Sequence, residues 1–389
     1  MVGLTQYSVA LLSQGTGTEF TIILNNPSVA AAEVKLYGIG DTEIKSLTVD
    51  PGKSKTVENA DLVSYILEEE SKISNKTIIV ESNSSDLVAQ VFMKLADHKE
   101  GYLGIPHTRL GKKHIVSTFC SLTGVCQFAV STIEPENTTI TLTFLPSVTD
   151  IIFCSRPEVY FRSARPKVLV LRQYEVVVFQ SLHELSGTVV ESDKRVSVIS
   201  GAKNLSMEGT PFFLVEQMPP ETYLGKKFVV RPLGTNGYGD LLRIASSTPN
   251  NVIEMTSYET FKITNTSNVV QRRLDGGLTT FITATYPILV TQFSGMTYAS
   301  VVGDVVAPGM TVVPDVDQYV SRTLLSCPDE DNGKTYMQIK VPDSLNVGVS
   351  AYPCSDNGMG SVDSDVRALS GRETDCKTRA RHHRVQNPA

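Results

Sequence analysis

Short segments that alternate apolar with polar positions recur from end to end of the chain. Phe20–Leu24 (FTIIL), Thr139–Phe144 (TITLTF), Lys167–Leu171 (KVLVL), Asn251–Met255 (NVIEM) and Thr279–Tyr286 (TTFITATY) are examples, all rich in β-branched residues. A period of two with that composition predicts half-buried strands. Clusters such as NNPS, DPGK, EPEN and GTNGYGD interrupt them at short intervals, the spacing of β-sandwiches rather than of βαβ units. The best helix candidate is Glu58–Lys72, where an Asn or Asp cap precedes a mixed run; a strand followed by an acidic turn explains it almost as well.

Internal repetition constrains the architecture further. LGKKHIV (Leu110–Val116) returns as LGKKFVV (Leu224–Val230), and the same displacement carries ENTTITLTF (Glu136–Phe144) onto NNVIEMTS (Asn250–Ser257). VESNSSDLVAQVF (Val80–Phe92) is echoed by VESDKRVSVISG (Val190–Gly201) and more loosely by ATYPILVTQFSG (Ala284–Gly295). These strings predict an all-β protein of tandem β-sandwich-like units: a degenerate first unit over 1–98, a second over 99–208, a third over 209–300 and a partial fourth over 301–354. PPETYLGKK and SDKRV are expected as exposed connections. Residues 355–389 carry too little apolar surface to order a backbone and read as a disordered tail.

Composition narrows the function. In 389 residues, 35 Lys and Arg stand against 41 Asp and Glu, so the basic excess of a nucleic-acid binder is missing. No apolar run approaches the roughly 20 residues of a spanning helix. A basic leader with a cleavage site is not visible at the start of the sequence.

The chain shows no G-x-S-x-G, Walker A, H-E-x-x-H or G-x-G-x-x-G pattern, and its isolated His107, His114 and His183 lack a nucleophile nearby in sequence. No cofactor, metal or catalytic residue is expected. CPDEDNGK (Cys327–Lys334) resembles a calcium loop, but Pro328 falls where the first ligand belongs. Of six cysteines, Cys120 and Cys126 flank a hairpin-like turn, and Cys327 and Cys354 bracket a strand-like pair. Disulfides are the favoured reading, ahead of free thiols and of zinc, which would need closer Cys or His partners. Cys154 and Cys376 have no obvious partner. Sequons at Asn75, Asn83, Asn137, Asn204 and Asn265 permit glycosylation if the chain is secreted.

Several longer segments resemble the IgG Fc-binding protein N-terminal domain family: Ser186–Gly201, Leu214–Leu233 (LVEQMPPETYLGKKFVVRPL), Gly239–Met255 and Gly303–Ser321. With GIPHTRLGKKHIVSTF and the FAVST and ENTTITLTF pair, the resemblance covers about residues 17 to 325. It implies a secreted, disulfide-containing, β-rich glycoprotein module, commonly part of a longer mucosal protein, with a chain that has lost its true N-terminus. Its partner would be a secreted or surface glycoprotein, mucin-like or immunoglobulin-like, held by an adhesive scaffold. The alternatives are a fragment of a larger protein without autonomous activity, or a β-sandwich hydrolase acting on glycans through dispersed carboxylates. Family members carry a cysteine soon after the SG turn and another just before VEQ; AKNLSMEG and TPFF have neither, the pattern left by removal of one disulfide.

Overall fold

A computed structural model describes residues 4–319 apart from 68–72, 97, 121–123, 149–150, 154–158, 162–165, 208–209, 233–239, 257–259, 266–268, 275–278 and 296–307. The expected remainder of a fourth unit, the tail, the Cys327–Lys334 loop, Cys154, Cys327, Cys354 and Cys376 lie outside the described residues. The architecture is all-β, with several sheets packed face to face.

Two four-stranded sheets make the first module. One runs in the order Thr5–Val9, Ile78–Ser82, Ala32–Tyr37, Glu43–Val49, and the other His98–Leu103, Val88–Leu95, Glu19–Asn26, Lys53–Val57. Alternation supplies their inner faces: Phe20, Ile22 and Leu24 pack with Val34, Leu36, Val80, Ala89 and Val91, all buried. Buried Asn26 at a strand end is satisfied by giving its amide to the carbonyls of Ala30 and Val49, each at 2.8 Å, so burying it costs little. The helix expected over Glu58–Lys72 shrinks to one α turn, Asn59–Leu62, a 3₁₀ turn, Val63–Tyr65, and a strand from Ile66. Only Leu62 is buried on it, so a longer helix would have no apolar face to pack. Asn59 is used instead as an acceptor for the Phe20 amide at 3.0 Å.

The second and third modules are each organised around one long strand. Val189–Met207 pairs through its first half with Gly111–Ile115 and Thr138–Thr143, and through its second half with Val125–Ser131 and Thr210–Gln217. Thr280–Ser294 does the same in the third module, with Gly225–Val230 and Asn251–Met255 first, then Leu241–Ser246 and Gly309–Val312. SDKRV is therefore not a connection. It lies inside the long strand as a bulge, opposite the register shift between Gly111 and Lys113. PPETYLGKK is only partly a connection, because Glu221–Tyr223 forms a 3₁₀ turn and Gly225 already begins a strand.

Both faces of the second module's main sheet are buried. Ala129, Val176, Val178, Ile199, Phe213 and Val215 point into the core shared with the first module. Their sequence neighbours Phe128, Val130, Val177, Phe179, Val198, Phe212 and Leu214 point into the second core, which also takes in Ala245, Leu289 and Phe293 of the third module. Double burial explains why EVVVF, VSVI and FFLV are continuous apolar runs rather than alternating ones. Where the family resemblance implies a lost disulfide, the two stretches pair as neighbouring strands, with buried Leu205 opposite buried Phe212.

The junctions repeat as well. Each 3₁₀ turn between modules rests on the first strand of the module before it: His107–Arg109 on Thr5–Val9, Glu221–Tyr223 on Gly111–Ile115, and Val316–Gln318 on Gly225–Val230. A Cβ on Gly111 would overlap the Pro220 ring, and one on Gly225 would overlap the Asp315 carboxylate. Close approach is thus the physical reason for glycine in both LGKK strings. Asp315 also accepts from the amides of Lys226 and Lys227 at 2.6 and 2.8 Å.

Because Phe213 and Phe128 are fully buried on opposite faces of one sheet, Phe213→Ala and Phe128→Ala should each cost about 3–5 kcal/mol. Urea denaturation followed separately at first-module and third-module probes should show both moving with either variant; a loss confined to one probe would contradict the shared sheet.

Candidate functional site

The bulge in Val189–Met207 borders a surface recess. Between the pairs Gly111↔Val196 and Lys113↔Glu191, the long strand carries four residues, Ser192–Arg195, opposite Lys112, while Ser192 keeps its pairing with Ile140 on the other side. A bulge re-aims side chains, and here Asp193, Lys194 and Arg195 form one wall of a cleft of about 610 Å³. Lys112, Lys113, Glu134 and Glu221 also line it.

Charge in the groove is mixed and mostly paired. Lys113 Nζ lies 3.5 Å from both Glu191 and Glu221, and Lys194 Nζ lies 3.2 Å from Glu136. Glu134 takes His107 Nε2 at 3.2 Å and Arg195 at 4.0 Å. Burial holds the His107 imidazole below its ordinary pKa, Glu134 opposes that, and Arg195 adds to it. Such partly exposed pairs add little stability; they fix the rotamers of long side chains at the rim. Lys112 is exposed and pairs with no acid among the described residues. His114, next after Lys113, is fully buried, with its ring nitrogens 3.1 Å from the Met218 carbonyl and 3.4 Å from that of Gly111. Burial lowers its pKa to about 4, which makes it a neutral structural imidazole.

The third module carries the same bulge with different chemistry. Between Gly225↔Ile288 and Lys227↔Thr283 the inserted residues are Ala284–Pro287. Tyr286 stands exposed there, so an aromatic replaces the charged wall on a matching scaffold.

A second polar cluster joins the second and third modules. Cys120 and Cys126 form a disulfide with Cα atoms 5.4 Å apart, and Cys126 Sγ is 3.7 Å from Glu184 Oε1. Arg243, from the third module's strand Leu241–Ser246, reaches across to Glu184, to the Thr118 carbonyl, and to Ser186 Oγ at 2.9 Å. Its guanidinium lies over Phe119 at 5.0 Å and Phe293 at 5.7 Å. The two sulfurs and a Glu184 oxygen fall within 4.8 Å of one another, but disulfide sulfurs are not the thiolates a zinc ion needs. Arg243 carried no sequence signal beyond being a charge inside the apolar segment LLRIA.

Asn75, Asn83, Asn137, Asn204 and Asn265 are all exposed. Asn137 sits beside the groove, where Lys194 Nζ donates to its carbonyl. Asn204 has φ 55° in the irregular part of the long strand, a conformation asparagine tolerates better than most residues. Asn83 already uses its side-chain oxygen to accept from the Glu33 amide at 2.9 Å.

A model of the family described as IgGFc binding protein matches residues 100–373, more than half of the chain. Human IgGFc-binding protein is 26% identical over 228 residues, a stretch that covers 58% of this chain and 4% of that protein. No solved structure matches. The family match begins in the last strand of the first module, leaving most of that module outside it.

Arg243 is 11% exposed and Glu184 33%. Removing the cation strands a half-buried carboxylate, and after allowance for its exposure Arg243→Met should cost about 2–3 kcal/mol. Adding Glu184→Gln should recover part of that loss in a double-mutant cycle read by thermal unfolding; strictly additive losses would show that the two side chains do not act together.

Proposed function

Because the chain belongs to the IgGFc-binding protein family, we propose that it is an extracellular binding or scaffold protein whose packed β modules hold secreted or surface glycoproteins of mucin-like or immunoglobulin-like type. The observation that carries this reading is the family match over residues 100–373. The human relative's name ascribes binding of IgG Fc to that protein, of which this chain covers only 4%; the carry-over therefore concerns a class of ligand, a folded protein surface.

Three features support it. Five sequon asparagines are exposed, a disulfide closes at Cys120 and Cys126, as in proteins of oxidising compartments, and no helix among the described residues is long and apolar enough to cross a membrane. The groove along Lys112, Lys194 and Arg195 is the favoured contact surface, because recesses at module junctions combine fixed walls with accessible charge. Of its acids, Glu134 faces Arg195, Glu221 faces Lys113, and Asp193 accepts the Thr139 amide, an arrangement suited to holding a polar surface rather than to donating a proton, which favours binding over the hydrolase alternative.

Immobilised wild-type protein should retain purified immunoglobulin Fc or mucin glycoprotein in a pull-down, and Lys112→Glu with Arg195→Glu should weaken retention about tenfold or more, since reversed rim charges disfavour the original partner. Retention of neither ligand by the folded, glycosylated wild type would defeat the proposed function. Retention that the reversal leaves untouched would move the contact surface elsewhere.

A further inference from the structure

The last strands of the three modules lie side by side: His98–Leu103 against Thr210–Gln217, and Thr210–Gln217 against Gly309–Val312. Two glutamates from the first two of these strands converge on the third. Glu100 Oε1 accepts the Met310 amide at 2.6 Å, and Glu216 Oε2 accepts the Val312 amide at 3.3 Å. The Glu100 side chain is 8% exposed, and its second oxygen has no hydrogen-bond partner among the described residues. Glu216 uses its other oxygen on the Gln217 amide at 2.9 Å.

Neither carboxylate meets a lysine or arginine among the described residues. The other titratable groups acting on the pair are His98, whose Nε2 is 3.7 Å from Glu100 Oε2 and 3.0 Å from the Phe213 carbonyl, and Tyr102, on which Glu216 exerts a charge effect. Burying two like charges in one site without a cation is costly. Holding a proton on each removes that cost and leaves the accepted amide bonds in place.

We propose that Glu100 and Glu216 form a proton-operated latch that fastens the strand Gly309–Val312 of the third module to the two modules before it. Burial pushes Glu100 up to about 7 and Glu216 up to about 8, the charge of Glu100 adding to the latter while His98 and the backbone donors hold the former down. In an unfolded or unlatched chain both carboxyls ionise near the ordinary value of 4.5. The latch is therefore fully favoured below that pH. Its advantage is lost as pH rises through the window ending at about 7 to 8, because the closed state binds more protons than the open one.

Amide hydrogen exchange at Met310 and Val312 reads the latch directly in the whole chain. Corrected for intrinsic exchange, the opening equilibrium in wild type should rise about tenfold or more between about pH 6 and about pH 9, and should stay flat in Glu100→Gln/Glu216→Gln. An equal rise in the double variant would overturn the proposal. If that variant fails to fold, infrared spectroscopy of the wild type decides: a protonated carboxyl band that persists near neutral pH supports the latch, and its absence refutes it. Stabilisation at neutral pH by calcium or zinc ions alone, abolished by Glu216→Gln, would assign the pair to a metal and also overturn it.

Discussion

The structure depends on a sheet that is buried on both faces. The strands Val125–Ser131, Val176–Ser181 and Thr210–Gln217 and the second half of Val189–Met207 serve two cores at once. The polar residues it holds, such as Ser200 and Gln217, are buried and hydrogen-bonded, to the Ser117 carbonyl and to Ser197, so register is fixed twice over: a slip of one residue would exchange the contents of two cores. Phe128 stacks on Phe179 at 4.9 Å on one side, and Phe213 meets the His98 ring edge-on at 4.7 Å on the other. The first module is held by this sheet rather than by a linker, and the third joins its opposite core through Leu289 and Phe293.

Much of this was legible in the chain, for reasons that can be named. Alternation located strands because half-buried sheets need it, and the LGKK repeat located the junctions because Gly111 and Gly225 face a close neighbour that excludes a side chain. The family resemblance rests on one of those strings, Leu214–Leu233, together with Ser186–Gly201, Gly239–Met255 and Gly303–Ser321. What sequence could not show were pairings across long separations. Glu184 and Arg243 come from different modules, and Glu100 is joined to Met310 across most of the described chain. Each reads locally as one charge in a strand. SDKRV differs for a related reason: the polar, charged residues Ser192–Arg195 look like a turn in sequence, yet a bulge accommodates them without ending the strand. Glu58–Lys72 reads nearly equally as a helix or as a strand before an acidic turn, and its described part holds a little of each, one α turn and one 3₁₀ turn leading into the strand Ile66–Leu67.

Equivalent bulges in the second and third modules show how one scaffold offers different chemistry. Ser192–Arg195 and Ala284–Pro287 occupy the same place in the ladder, and apart from Ala284, which packs on the third core, their side chains lie outside the hydrophobic cores. Side chains there can change without disturbing the strands that carry them, so charged and aromatic surfaces coexist on one backbone plan.

The docked 3₁₀ turns have a consequence for how a ligand with repeated epitopes is met. Between the two bulges, Glu221–Tyr223 is seated on Gly111–Ile115 of the second module and Gly225 directly opens the first strand of the third, so this junction is a docked turn. Under the proposed binding role, patches on the two modules would be held at a set separation, and a second contact would form at an effective concentration governed by whether the ligand's own spacing fits. A surface of that kind would discriminate by periodicity, favouring arrays whose repeat distance matches its own.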